Sequence, residues 1–123
     1  MTGNEEIVRE FINAWSRLDP AELAGYFSAD GTYHNMPAEP VTGCENIEKF
    51  IGGFLKNWSS TQWDILHIVS RGNVVIAERL DRTMVGAKAV DLPCCGVFEM
   101  EDGKIKVCCD YFDLATYTRS LRW

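Results

Sequence analysis

The chain predicts an α+β fold: N-terminal helices, then a strongly curved, mostly antiparallel sheet wrapped over them, leaving an apolar pocket. Three observations carry that expectation. Apolar residues recur at helical spacing as far as Leu55, the period drops to two from Ser59 onward, and the later segments are separated by turn-forming sequences at Arg71-Gly72-Asn73, Gly86-Ala87-Lys88 and Glu101-Asp102-Gly103-Lys104. A length of 123 residues suits a single domain, residues 1–123, with no internal repeat or linker.

Ile7, Val8, Phe11, Ile12, Trp15 and Leu18 define the inner face of a first helix, with Asn4 as its cap and Glu5 and Glu6 in its first turn. Asp19-Pro20-Ala21-Glu22 predicts a short second helix, with a capping acid followed by Pro at the first helical position. It should carry Leu23, Tyr26 and Phe27 inward and end at Asp30-Gly31. Thr32 to Asn35 reads as extended, and a loop holding Pro37 and Pro40 follows. Thr42-Gly43-Cys44-Glu45 has the form of a capping box opening a third helix, whose inner face is Ile47, Phe50, Ile51, Phe54 and Leu55. Gly52-Gly53 inside that helix costs on the order of 1 kcal/mol per residue relative to Ala, so close packing against a neighbour is expected there. Four strands follow, running through Trp63 to Val69, Val74 to Val85, Val90 to Met100 and Ile105 to Tyr111. Pro93 cannot donate to a ladder, which predicts an edge or a bulge at that point.

Twelve Lys+Arg against eighteen Asp+Glu give a net charge of −6, which argues against a nucleic-acid partner. No apolar run approaches the length of a membrane span, and the polar, acidic N-terminus lacks the form of an export signal. Cysteine usage fits reduced thiols in the cytoplasm: there are five, four of them in the adjacent pairs Cys94-Cys95 and Cys108-Cys109, in neither a disulfide nor a metal-ligand pattern. His34 and His67 have no second ligand at metal-binding spacing, and neither a phosphate-binding glycine loop nor a GxSxG elbow is present.

The polar residues that stand out are few. Tyr33 and Asn35, two apart in an extended segment, project to one face with His34 opposite, and Arg79 and Asp81 share a strand face with Val75 and Ala77. Asp110 is embedded in the apolar and aromatic run Val107 to Phe112, where a carboxylate has to be paired, hydrogen-bonded or neutral. Strict alternation groups Asp110 with the surface lysines Lys104 and Lys106; strand curvature or a bulge would break that grouping.

Taken together, Tyr33-His34-Asn35-Met36-Pro37, Glu78-Arg79-Leu80-Asp81, Gly96-Val97-Phe98 and Asp110-Tyr111-Phe112-Asp113-Leu114 closely resemble the limonene-1,2-epoxide hydrolase family. The resemblance runs from Asn13-Ala14-Trp15 to the Leu114 region. It implies a cone-shaped fold like that of nuclear transport factor, with a bent sheet around a deep apolar pocket and a homodimer formed through the sheet. It also implies a reaction without metal or organic cofactor, in which a small hydrophobic epoxide (terpene-like, cyclic or aryl) and water give a vicinal diol. Carried over residue by residue, Asp110 becomes the general base for a water held by Tyr33 and Asn35. Asp81 becomes the general acid at the epoxide oxygen, and Arg79 lies between the aspartates. Met36, Leu92, Phe112 and Tyr117 would wall the substrate pocket, while Thr83, Cys94 and Cys108 stand where the family tends to carry bulkier side chains. Two alternatives use the same fold: a proton-transfer enzyme of the ketosteroid isomerase or polyketide cyclase kind, and a small-ligand-binding module without turnover.

Overall fold

A computed structural model describes residues 3–121. Helix α1 (Gly3–Ala14) ends in a 3-10 turn at Trp15–Arg17, and α2 (Pro20–Ala24) leads into strand β1 (Phe27–Asn35). The short β2 (Val41–Thr42) precedes α3 (Cys44–Leu55). The long strands β3 (Trp58–Arg71), β4 (Val74–Val85), β5 (Lys88–Glu101) and β6 (Lys104–Tyr111) follow, and α4 (Leu114–Ser120) comes last. The six strands form one sheet in the order β2-β1-β6-β5-β4-β3, antiparallel throughout except where β1 runs parallel to β6.

The α+β expectation is met, and the differences lie at element ends. Leu18 does not continue the first helix: it adopts the left-handed conformation (φ 54°) and closes the 3-10 turn with its N–H on the Trp15 carbonyl. Asn4 sits inside α1 rather than capping it, since the helix begins at Gly3. Asp19 does cap α2, accepting from the N–H groups of Ala21 and Glu22. However, α2 stops at Ala24 and Phe27 already belongs to β1. The capping box at α3 does not form. Thr42 is a strand residue whose hydroxyl meets that of Thr32, and Gly43 takes the position before the helix with φ 95°, where a side chain would be strained. Within α3 a Cβ on Gly52 would make ordinary contact with Pro20, whereas one on Gly53 would meet nothing, so close packing accounts for neither glycine.

Helices α1 and α3 lie on the concave face of the sheet. Val8, Phe11, Ile12 and Trp15 from the first helical segment and Ile47 and Ile51 from α3 share one core with Val75, Ala77, Phe98 and Ile105 of the strands. Phe11 is its hub, meeting Trp15, Tyr26, Phe27 and Phe98 edge-on at 5.5–6.0 Å between ring centroids, the geometry that aromatic quadrupoles favour. The β5–β6 hairpin turns through Asp102 (φ 51°) and Gly103 (φ 76°), both left-handed as a two-residue type I′ connection requires. Pro93 is tolerated because β6 ends at Tyr111 opposite Cys95. Beyond that point β5 pairs with β4 alone and is locally an edge.

The register of β6 decides the face taken by Asp110. Glu99 pairs with Val107 but Met100 pairs with Ile105, so Lys106 is the extra residue of a bulge. Ile105 faces the core before the bulge; after it the inward positions are Cys108 and Asp110. That single slip moves Asp110 from the face of the lysines to the concave side.

Candidate active site

The concave side holds a cavity of about 190 Å³, lined by Tyr33 and Asn35 from β1, Arg79 and Asp81 from β4, Asp110 from β6, and an apolar wall to which Leu92 and Cys94 contribute. Inward alternation on β4 places Val75, Ala77, Arg79, Asp81 and Thr83 on one face, while Glu78 and Arg82 turn outward to pair with His67 and Asp64 on β3. All five polar residues singled out in the sequence therefore converge on one site.

Arg79 organises it. Its Nε donates to Asp81 Oδ1 at 2.7 Å and its Nη2 to Asp81 Oδ2 at 3.2 Å. Its other donors reach across the sheet to Asp110, Nη1 to Oδ1 at 3.2 Å and Nη2 to Oδ2 at 2.9 Å. Both contacts are two-point, the geometry a planar guanidinium offers and an ammonium cannot. The guanidinium carbon also lies 4.2 Å from the ring centroid of Trp63, which stacks on Trp15 at 4.2 Å. Tyr33 Oη donates to Asp110 Oδ2 at 3.3 Å, and β1 runs in register with β6 so that Asn35 stands beside Asp110.

Burial dominates the electrostatics. Arg79, Asp81 and Asp110 are 1, 5 and 3% exposed, so one guanidinium faces two carboxyls with little water to screen them. A buried cation with two ionised acids would leave a net negative charge; keeping one acid protonated leaves the cluster neutral. Asp81 is the acid so perturbed. Desolvation pushes it from 3.8 up to about 6, against the attraction of Arg79 and with the help of Asp110. For Arg79, burial opposes the charge, but Asp110 and Asp81 outweigh it and hold the guanidinium protonated, well above its ordinary value. Burial, and then the charge on Asp110, raises the Tyr33 phenol well above its usual range, so it remains a donor.

This gives a stability prediction. Asp81 binds its proton more tightly when folded, so its stabilising contribution is complete below its unfolded value of 3.8 and is lost as pH rises through about 6. The difference is worth about 3 kcal/mol. Urea unfolding between pH 4 and 7 should show this fall, and Asp81→Asn should remove it.

Of the expected pocket residues, Leu92, Cys94, Phe112 and Tyr117 line the cavity. Met36 is not among the lining residues and is exposed at the end of β1. Neither is Thr83, which is buried: its hydroxyl meets Thr61 Oγ1 at 2.7 Å, and Thr61 in turn accepts from Trp63 Nε1 at 3.0 Å. Cys108 is fully buried, with its thiol 3.7 Å from Asp110 Oδ1. Phe54, Trp58, Trp63 and Leu114 also line the cavity, beyond the pocket residues expected from the sequence. Period-two alternation on β3 points to Trp63 and the inner face of α3 to Phe54, but alternation would turn Ser59 inward instead of Trp58, which a register shift between Trp58 and Ser60 brings to the cavity. Trp58 Nε1 donates to Tyr117 Oη at 3.0 Å, tying α4 to β3 at the cavity.

Among the described residues no group of three His, Cys, Asp or Glu side chains is placed to hold a metal, and no helix is long and apolar enough to cross a membrane. The cysteines are free, and within each adjacent pair one thiol is buried and the other is not.

A curled, mostly antiparallel sheet closed over helices, with polar residues gathered on its concave face, defines a cone-fold protein of the nuclear-transport-factor-like class. Within that class, residues 8–108 match the SnoaL-like domain, and the chain belongs to that family. It is 28% identical over 107 residues to the epoxide hydrolase EphG of Mycobacterium tuberculosis (strain ATCC 25618 / H37Rv), covering 87% of this chain and 71% of that protein. The solved structure of an M. tuberculosis LEH-like epoxide hydrolase superposes with a TM-score of 0.85 at 26% identity, covering 98% of this chain and 90% of the other. A protein of Catenulispora acidiphila with a ketosteroid isomerase-like fold, solved with trimethylamine, superposes with a TM-score of 0.86 at 22% identity, covering 94% and 91%. This last likeness is one of fold alone.

Proposed function

We propose that the chain is a cofactor-independent epoxide hydrolase that adds water to a small hydrophobic epoxide in one step. The observation that carries this reading is the buried arginine holding two carboxyls, one of which keeps its proton more readily than an ordinary aspartate. Opening a three-membered ether needs a proton at the departing oxygen and a nucleophile at carbon, hence an acid and a base at the same pH. Asp110 takes a proton from a water held by Tyr33 and Asn35, the water oxygen bonds to an epoxide carbon, and that carbon–oxygen bond breaks. Asp81 gives its proton to the released oxygen, and the product is a vicinal diol. Turnover leaves the proton on Asp110 and the charge on Asp81; exchange with solvent resets them.

The epoxide hydrolases of M. tuberculosis support the reaction class at modest identity. A lone enolate base of the isomerase kind would not call for a cation bridging two acids, so Arg79 favours hydrolysis over that alternative. The aromatic and aliphatic wall favours a compact terpene-like, cyclic or aryl epoxide. Styrene, cyclohexene and terpene epoxides, with chiral analysis of the diols, test the reading. Diol from at least one of them is expected, and no diol from any would refute it. Because a protonated Asp81 is required, kcat/KM should fall about tenfold per pH unit above about 6.

The outer face of the sheet supports a homodimer. Leu66, Ile76 and Tyr111 are exposed there, and a second hollow on that side is lined by Leu66, Leu80, Pro93 and Tyr111. Light scattering on the eluted protein should give about twice the 13.9 kDa of one chain; a mass of one chain would count against pairing.

A further inference from the structure

Arg79 stands on β4 and Asp110 on β6, with β5 between them. The guanidinium therefore has to pass over a β5 residue to reach its second carboxylate, and that residue is Gly96, paired with Ala77 on one side and Asp110 on the other. A Cβ on Gly96 would lie 2.8 Å from Arg79 Nη1, 2.9 Å from Phe98 Cε1 and 3.0 Å from Asp110 Oδ1. None of these atoms has room to retreat: Arg79 and Phe98 are 1 and 0% exposed, and both Arg79 Nη1 and Asp110 Oδ1 are engaged with each other. The backbone of Gly96 is not among the left-handed positions, so conformational freedom does not account for a glycine in the middle of a central strand, where it weakens packing. Its missing side chain is the space the ion pair occupies.

We propose that Gly96 is a positioning residue for hydrolysis: it leaves open the crossing over β5 by which Arg79, paired with Asp81 on its own strand, also reaches Asp110. Any side chain there separates Arg79 from Asp110, leaving the base without its cation and uncoupled from the acid, which stays with Arg79 on β4. The catalytic part of this proposal rests on the hydrolase reading. The steric part does not.

The test is a double-mutant cycle of Gly96→Ala with Arg79→Met, which removes the guanidinium while keeping an unbranched side chain of similar reach. In the parent, Gly96→Ala should lower kcat by about 10²-fold while KM stays within about twofold, and should displace the alkaline limb of the pH profile. In the Arg79→Met background the same substitution should lower the unfolding midpoint by less than in the parent, since the contact with the guanidinium has gone and Asp110 is no longer held against the Cβ, while the contact with Phe98 remains. Equal losses of midpoint in both backgrounds, or a Gly96→Ala enzyme with parental kcat and pH profile, would overturn the proposal. If Gly96→Ala alone does not fold, recovery of folding in Gly96→Ala/Arg79→Met supports it, and failure of Gly96→Ala/Arg79→Met/Phe98→Leu where Arg79→Met/Phe98→Leu folds overturns it. The unfolding arm needs no substrate, so it decides the steric claim even if the parent hydrolyses no epoxide.

Discussion

Asp110→Asn should lower diol formation by roughly 10²–10⁴-fold while leaving the fold in place. The substitution is nearly isosteric, and the amide oxygen can still accept from Tyr33 Oη and Nη2 of Arg79, but its NH2 then faces Nη1, so the unfolding midpoint falls while the folded structure is kept. What disappears is the only group at the site proposed to remove a proton from water. Positioned general bases are worth roughly 10²–10⁴-fold, and a drop of that size in kcat with KM nearly unchanged is expected. Asp110 is also one of the influences raising Asp81. Residual activity should therefore show its alkaline limb at lower pH than the parent. Steady-state kinetics from pH 5 to 8 checks both points, and parental kcat in the variant would remove Asp110 from the mechanism.

The largest effect on stability comes from Arg79→Ala. Two carboxyls lose the cation that both face and remain in a site that excludes water. Removing one partner of a buried ion pair costs about 3–5 kcal/mol, because the remaining charge has neither water nor counter-charge. Arg79 is also the influence that holds Asp81 down, so without it Asp81 rises above about 6. The variant should accordingly regain much of its stability as pH is lowered. Arg79→Lys should recover part of the stability but little activity, since a point charge cannot make two-point contacts with both carboxyls. Chemical denaturation at pH 5 and pH 8 measures this; a pH-independent loss of less than about 1 kcal/mol would mean that the cluster is not energetically coupled.

How far this site was legible in the sequence depends on the residue. Spacing on a long, regular strand puts Arg79 and Asp81 on one face, and the alternation of β4 runs unbroken through them. The same spacing puts Tyr33 and Asn35 on one face of β1. Asp110 was different: period-two arithmetic sends it outward with Lys104 and Lys106, and only the bulge at Lys106 turns it in. A bulge is set by how two strands fit one another, and the sequence of one strand does not encode it locally. The apolar company of Asp110 was the signal that simple alternation was incomplete.

The helix ends failed for a related reason. Thr42 has the residue type of a cap but spends its hydroxyl on Thr32 across a strand pair whose partner lies ten residues away. Leu18 has the spacing of a helical core residue but terminates a turn. Thr83 faces inward as alternation requires, yet it lies outside the cavity lining and spends its hydroxyl on Thr61 of the neighbouring strand, in the hydrogen-bonded chain that steadies the Trp63 ring over Arg79. In each case local pattern identified the kind of residue, and tertiary packing decided its partner.

The direct attack of water is the centre of the proposed mechanism, and one isotope measurement addresses it. With enzyme in excess over a hydrolysable epoxide in ¹⁸O-labelled water, a single turnover should place one labelled oxygen in the diol and none in the protein. Unlabelled diol, with ¹⁸O appearing in a carboxylate of Asp110 or Asp81, would instead show a covalent ester intermediate and contradict the account.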